Sequence, residues 1–390
     1  MRILFVADGR SPTAINWIKH FVESGHEVHL ASTFASRPQM DLASLHELPV
    51  AFSSAAGEPG SKRTGLRASL PVNVRTRLRQ WFGPLTLKAA AKKLRNLVAE
   101  VQPDLVHAMR IPFEGMLATE ADLSAPLLVS VWGNDFTLHA PSSPLMRRAT
   151  RRTTCRATAL HSDTERDLKL SENWGFDSEK PSIVLPGNGG VRTEIFYPLP
   201  EATKATGIKA RLQVINPRGL RSYVRNDIFF RAIPLVLRTR PEVRFLCPAM
   251  EGEPEAERWV KDLQIEEYVQ LMPKLSAKAM ADSYHASQVM VSPSIHDGTP
   301  NSLLEAMATG CFPVLGSLDS LKEWIRDGEN GLFADLHDPA LLAEGIIRAL
   351  KDDDLRISAA KINTKIIAER ASYTDVMAKA EDFYEKLLET

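Results

Sequence analysis

Cysteine is scarce in this 390-residue chain: Cys155, Cys247 and Cys311 stand far apart. Such spacing builds neither a disulfide framework nor a metal cluster, and it suits a reducing cytoplasm. For Cys247 and Cys311 the plainer reading is a small buried hydrophobe. Net charge is missing too, since 48 Lys and Arg balance 48 Asp and Glu; any basic surface must be local. No apolar run approaches the roughly 20 residues of a membrane span. The run Ile3–Ala7 after Arg2 stops at Asp8, too soon for the core of a signal sequence. There is no G-x-G-x-x-G turn after the first strand, so the dinucleotide fingerprint is absent. Without a D-x-D motif in a suitable loop or a His/Cys cluster, neither a metal nor another cofactor is implied.

What the chain does have is length for two cores, and strand and helix patterns alternating in each half. Ile3–Ala7 reads as a buried strand, residues 8–12 as a turn, Thr13–Ser24 as a helix closed by Gly25, and Glu27–Ala31 as the next strand. Gly9 and Arg10 thus lie in a loop at a strand's carboxyl end, where a ligand contact and a plain turn are equally good readings. More strands are expected at Asp104–Ala108, Leu127–Val131, Ala157–His161 and Ser182–Leu185. Phe196–Ala210, rich in Pro, Thr, Ala and Lys, reads as a linker, and a second α/β half follows with strands at Leu212–Ile215, Val243–Cys247, Tyr268–Leu271, Val289–Val291 and Phe312–Leu315.

Residues 32–83 carry little regular pattern, but positive charge gathers at their end. From Pro59 to Ala99 there is no acid, while Lys62, Arg63, Arg67, Arg75, Arg77, Arg79, Lys88, Lys92, Lys93 and Arg95 interleave with Trp81, Phe82, Leu85 and Leu87. Arg147, Arg148, Arg151, Arg152 and Arg156 form a second basic cluster. In a neutral protein, such a concentration suits an anionic membrane surface, through residues 60–99. A solvated basic helix face is the plainer alternative. No nucleic-acid module motif accompanies the charge.

The chain is organised around Val289–Gly316, VMVSPSIHDGTPNSLLEAMATGCFPVLG, which reads as strand, loop, helix, strand. Thr299 is placed to cap a helix with Pro300 at its first position. A loop at the end of a parallel strand then feeds a helix N-terminus, where free N–H groups and the helix dipole favour an anion. Asp297 sits in that loop beside Gly298. Glu305 lies two turns into the helix, on a narrow polar stripe with Asn301, Ser302 and Thr309. A solvated face would explain a lone Glu; a carboxylate that accepts from sugar or ribose hydroxyls is the sharper reading.

Asp297-Gly298-Thr299-Pro300, then Glu305-Ala306-Met307-Ala308-Thr309-Gly310 and Pro313-Val314, resembles the acidic signature of glycosyltransferase family 4, E-G-x-P-x-x-x-x-E-A-M-A-x-G-x-P-V. That family is retaining, uses nucleotide sugars and has the GT-B fold. The resemblance implies that Glu305 binds the donor's ribose and that Asp297, Asp where the family usually has Glu, contacts the donor sugar. It extends to Pro103–Ala108, to Val131–Asp135 (with Trp132 in the usual His place and Asp135 closing the motif), and to Leu185–Val191, where Arg192 replaces the usual Asp. His107 falls in the first of these, and Met109 stands where many relatives carry a sugar-facing His. After the strand Leu212–Ile215, Arg218 and Arg225 match the two cations that hold the donor diphosphate, with Arg221 competing for the second role.

The implied fold is α/β: two Rossmann-like domains facing each other across a deep cleft, 1–195 for the acceptor and 196–372 for the donor, with a final helix, 373–390, crossing back to the first domain. The implied activity is transfer of a sugar from a nucleotide diphosphate sugar to a hydroxyl of a glycan or lipid-linked acceptor, with Asp297, Arg218 and Arg225 at the chemistry. Residues 298–302 and Arg221 would help to bind the donor, and Gly9, Arg10, His107 and Asp135 would lie on the acceptor or sugar side. No metal is expected. The implied setting is the cytoplasm, at the inner face of a membrane. A nucleotide-sugar 2-epimerase of the same fold and a catalytically silent sugar-nucleotide binder are the competing readings.

Overall fold

The computed structural model describes residues 1–53, 78–199 and 212–389, which form two compact units. One comprises Met1–Gly189 and Asp375–Thr390, the other Gly190–Thr374. The first holds a seven-stranded sheet: β1 (Arg2–Ala7), β2 (Glu27–Ser32), β3 (Ser44–Glu47), β4 (Leu105–Ala108), β5 (Leu127–Val131), β6 (Ala159–Ser162) and β7 (Ser182–Val184). Its order is β3-β2-β1-β4-β5-β6-β7, and every pairing is parallel. The second holds β8 (Gln213–Ile215), β9 (Arg244–Cys247), β10 (Val269–Leu271), β11 (Val289–Ser292), β12 (Phe312–Gly316) and β13 (Leu332–Ala334), ordered β10-β9-β8-β11-β12-β13, again all parallel. Helices over both faces bury the central strands, which is why these strands read as largely apolar runs, interrupted by His107 in β4 and Ser130 in β5.

In each sheet the strand order reverses beside the unit's first strand, at β1/β4 and at β8/β11. Loops that leave such a pair diverge to opposite faces and open a crevice at the strands' carboxyl ends. In the first unit those loops follow Ala7 and Ala108; in the second they follow Ile215 and Ser292.

Several elements differ from expectation. β3 lies at the sheet edge, its residues alternately half-buried and exposed, and Ser44-Leu45-His46-Glu47 has no apolar run to mark it. β13 is three residues long, in what reads as a turn. The boundary between units falls at Gly190 rather than after residue 195. Val191 N–H donates to Ala371 O, Tyr373 N–H donates to Val191 O, and Phe196 is buried in the second unit's core, so this segment belongs there. Most of the expected linker, residues 200–210, lies outside the described residues, as do Lys62, Arg63, Arg67, Arg75 and Arg77.

The final helix, Tyr373–Glu389, is tied into the first unit from Asp375 onward by a buried polar chain. Trp17 Nε1–H donates to Tyr384 Oη at 2.9 Å, and that hydroxyl contacts His107 Nδ1. His107 Nε2 meets Ser130 Oγ at 2.7 Å, Ser130 Oγ meets His161 Nδ1 at 2.9 Å, and His161 Nε2 meets Leu185 O at 2.9 Å. Burial holds both imidazoles neutral: His161 is pulled down to about 4, and His107, with His161 near it, well below the usual histidine range. The indole can only donate and the Leu185 carbonyl can only accept, so the chain runs one way and both histidines carry their proton on Nε2. His107 therefore sits inside the core, with both nitrogens engaged.

Tyr384→Phe removes one hydroxyl and strands a buried indole N–H and a buried imidazole nitrogen. It should destabilise the first unit by about 2–4 kcal/mol. Urea unfolding followed by tryptophan fluorescence reads this; an unchanged midpoint would contradict the one-way chain.

Candidate active site

In the second unit, the two loops at the β8/β11 switch are zipped together. Val224 bridges to Ser294, Arg225 N–H donates to Pro293 O at 2.8 Å, and Ile295 N–H to Tyr223 O at 2.9 Å. Asn216 and Asn226, both buried, brace the first loop: Asn216 Nδ2 donates to Asn226 Oδ1 at 3.0 Å, Asn226 Nδ2 to Gly219 O at 2.9 Å, and Arg218 N–H to Asn216 Oδ1 at 3.2 Å. Gly219 sits at φ +60°, in the left-handed region that glycine adopts at least cost.

This scaffold delivers Arg218 to the acidic loop. Its Nη2 donates to Asp297 Oδ2 at 2.6 Å and its Nη1 to Ser302 Oγ at 3.1 Å. The side chains of Arg218 and Asp297 are only 11% and 15% exposed, so the pair is poorly screened. Ser302 is the second residue of the helix Asn301–Thr309, whose N-cap, Pro300, makes no side-chain cap hydrogen bond. Helix entry differs by one residue from the sequence reading. Pro300 is the N-cap, and Thr299, buried, accepts through Oγ1 from Trp324 Nε1 at 3.1 Å. Ser320 Oγ donates to Asp297 O at 2.8 Å and holds the loop from behind. Gly298, Thr299 and Pro300 are buried; Asn301 and Ser302 are half-buried at the helix start.

Glu305 lies a turn further in, half-buried. Tyr284, fully buried on the helix Ala277–Ala286, places its hydroxyl 3.3 Å from Glu305 Oε2 and 3.1 Å from Ser302 O. Burial pushes the Glu305 carboxyl up to about 7, against the opposing pulls of Tyr284 and Arg218. The carboxyl is therefore poised between its two forms near neutrality, ready to accept from hydroxyls when ionised.

Arg225 and Arg221 lie elsewhere in the first loop. Arg225 makes a fork on Asp227, with Nε to Oδ1 at 2.8 Å and Nη2 to Oδ2 at 2.9 Å, and Nη1 reaches Leu336 O at 3.3 Å. Asp227 also accepts from Arg231 at 2.5 Å. Arg221 is exposed, its Nε donating to Arg218 O at 3.3 Å. Of the three arginines, Arg218 is the one whose side chain bonds to Asp297 and to the helix start.

In the first unit, Gly9 is buried. Its N–H donates to Ser32 Oγ at 3.1 Å, and a Cβ there would meet Ser36 Oγ at 2.2 Å, so close approach of the neighbouring loop requires glycine. Arg10 forks onto Asp8 at 3.0 Å through both Nε and Nη2 and covers the Phe34 ring at 3.5 Å. Asp135 is fully buried and accepts from Arg110 Nη2 at 2.6 Å and from the Ile111 and Trp132 N–H groups at 3.2 Å each. It therefore ties together the loops that follow β4 and β5. Burial raises its carboxyl above the usual aspartate range, partly opposed by Arg110.

Tyr284, Arg79, Arg110 and Glu114 carry no sequence signal of this kind. Tyr284 comes from a separate helix, and Arg79 reads as one more cation in a basic stretch. All three first-unit residues line a pocket of about 250 Å³ at the β1/β4 switch.

The fold defines a protein with two parallel-sheet α/β domains, and solved structures share it end to end. Sucrose-phosphate synthase from Thermosynechococcus elongatus matches with TM-score 0.76 at 14% identity, covering 99% of each chain. The HepE protein of Anabaena in complex with UDP-glucose matches with TM-score 0.71 at 16% identity, covering all of each chain. Residues 9–187 match the model of the glycosyl transferase 4-like domain, and residues 219–352 that of glycosyl transferases group 1. The chain belongs to the family 4 glycosyltransferases of the GT-B fold. Among curated relatives, the D-inositol 3-phosphate glycosyltransferase of Thermobispora bispora is 28% identical over 234 residues, 57% of this chain and 54% of that one. Its counterpart in Streptomyces scabiei is 30% identical over 192 residues, 45% of this chain and 42% of that one. The chain spans about half the length of the curated relatives it matches.

The position of Glu305 fixes a sign. Its folded-state value of about 7 exceeds the ordinary 4.5, so folding favours the protonated carboxyl. The stability this contributes is fully present below pH 4.5 and is lost as pH rises through 7. It amounts to on the order of 3 kcal/mol. Relative to Glu305→Gln, the wild type should lose stability across this window in urea melts; parallel pH profiles would remove Glu305 from its buried setting.

Proposed function

We propose that the protein is a retaining glycosyltransferase that moves a sugar from a nucleotide diphosphate sugar to an acceptor hydroxyl without a metal. The observation that carries this is the fork of Arg218 between Asp297 and Ser302 at the start of the helix Asn301–Thr309, with Glu305 poised one turn beyond. As the bond from the sugar's anomeric carbon to the phosphate oxygen breaks, its electron pair passes to the diphosphate. A fixed guanidinium and the helix N–H groups stabilise that charge in place. The acceptor oxygen takes the anomeric carbon from the same face, and its proton leaves with the departing phosphate oxygen. Glu305 accepts from the ribose hydroxyls, and Asp297 from the sugar. Arg225, braced by Asp227, lends positive charge to the same loop. Neighbours solved with UDP or UDP-glucose support UDP as the first nucleotide to try.

Ionised Glu305 is the form that accepts two hydroxyls. Affinity for UDP-glucose, whose diphosphate does not titrate near neutrality, should therefore rise about tenfold from pH 6 to pH 8 around a pKa of about 7. Glu305→Gln should bind weakly with a flat profile, and Asp297→Ala should bind more tightly than Glu305→Ala. Calorimetry with UDP-glucose measures both; a flat wild-type profile would refute the ribose role. Release of UDP only when an acceptor is present separates transfer from epimerisation and from silent binding.

We further read the first unit as docking on the inner, anionic face of a membrane, where a lipid-linked or glycan acceptor is presented. Trp81, Phe82 and Leu85 are 51%, 48% and 63% exposed, just before the exposed Lys88, Lys92 and Lys93. Apolar side chains beside cations suit a headgroup layer, with about 1 kcal/mol for each lysine. Among the described residues no helix is long and apolar enough to cross a membrane. Two cations of the basic stretch serve other ends: Arg95 donates to Ala121 O at 2.7 Å, and Arg79 turns inward. Wild type should co-sediment with anionic vesicles, less so as salt rises, and Trp81→Ser with Leu85→Ser should release it. Equal sedimentation with neutral vesicles would leave a soluble acceptor.

A further inference from the structure

The pocket at the β1/β4 switch is lined by two arginines in different electrostatic states. Arg110 is matched by the buried Asp135 at 2.6 Å. Arg79, half-buried, has no ion pair or hydrogen bond among the described residues; its Nε is sealed in the wall without a partner. What holds it is aromatic: its guanidinium lies 4.4 Å from the Phe113 ring centroid and 5.1 Å from that of Phe34. Two rings hold a cation by their faces, and among the described residues nothing accepts from its terminal N–H groups, which suit a ligand oxyanion.

The chain invests strain in this arrangement. Phe113 sits at φ 72°, a left-handed conformation that a bulky residue adopts at a cost of order 1–3 kcal/mol. Its ring passes so close to Gly83 that a Cβ there would lie 2.5 Å from Cε1. The segment bearing Arg79 is also pinned, because Ser143 Oγ donates to Gln80 O at 2.8 Å. Glu114, on the same pocket, is fully buried with one oxygen bonded to Thr33 and the other unpartnered. Burial raises its carboxyl above the usual range, against the opposing pulls of Arg110, Thr33 and Arg79.

Given the glycosyl transfer proposed above, we infer that this pocket recognises an acidic acceptor: a polyhydroxylated ring bearing a phosphate or carboxylate whose oxyanion is held by Arg79. Trp132 and His139 also line this pocket and supply aromatic surface for the ring.

The test uses the whole chain and three probes: glucose 6-phosphate, glucuronate and glucose, titrated by calorimetry. Wild type should bind the two acids at least tenfold more tightly than glucose. Arg79→Gln should erase that preference, Arg79→Lys should keep part of it, and Arg218→Gln, at the other phosphate-suited site, should keep it whole. Circular dichroism checks that each variant is folded. Wild-type acid binding by Arg79→Gln, or a preference lost only in Arg218→Gln, overturns the inference. Displacement of bound glucose 6-phosphate by phosphatidylglycerol vesicles would assign the oxyanion to a lipid headgroup, and its retention to a soluble acceptor; both uphold the site. UDP release from UDP-glucose is scored separately. Acid binding through Arg79 without UDP release under any condition sinks the transferase reading and leaves the anion site standing. UDP release with neutral and acidic acceptors alike does the reverse.

Discussion

The donor-side geometry depends on one poorly screened ion pair. Arg218 and Asp297 come from loops that are 79 residues apart in sequence and meet only because β8 and β11 are neighbours at the sheet's switch point. Each charge would be costly in so enclosed a place without the other. The bridge from Val224 to Ser294 and the two asparagines brace the loops, so the guanidinium is held before any ligand arrives. In the proposed reaction a donor diphosphate would bring its own negative charge to Arg218 and compete with Asp297 for the fork. That competition would free Asp297 to turn towards sugar hydroxyls. The pair thus places both groups and sets the terms on which they part.

Much of this was legible in the sequence, for physical reasons. Central parallel strands are buried on both faces, so β1, β4, β5 and β11 announce themselves as apolar runs. A strand followed by a glycine-containing loop and an amphipathic helix fixes where Asp297 and Glu305 must point, because the helical period of 3.6 residues sets their faces. Two of the four edge strands escaped for the opposite reason. β3 is half-exposed and mixed in composition, and β13 is too short to show a period.

What stayed hidden depends on contacts between distant segments. Nothing in Tyr284 itself says that its hydroxyl will meet Glu305, 21 residues on and in another helix. His107 lies in a family-like motif, yet its nitrogens serve Tyr384, 277 residues away, and Ser130. The family resemblance implies a phosphate role for Arg225, whose fork here lies on Asp227, two residues later. Local pattern fixes a side chain's address; only the fold decides which partner reaches it first.

Arg79 carries the same lesson further. In a stretch free of acids it reads as one more surface cation, and composition alone would assign it to a membrane. The fold instead turns it against Phe34 and Phe113, and a strained backbone at Phe113 keeps one of those rings in place. Packing explains why an arginine stem is buried there. It does not explain why the charge makes no ion pair or hydrogen bond among the described residues while its neighbours Arg10 and Arg110 each hold an acid. A pre-oriented guanidinium without an ion pair among the described residues is costly for folding unless something else benefits, and the ligand that best repays it is an oxyanion.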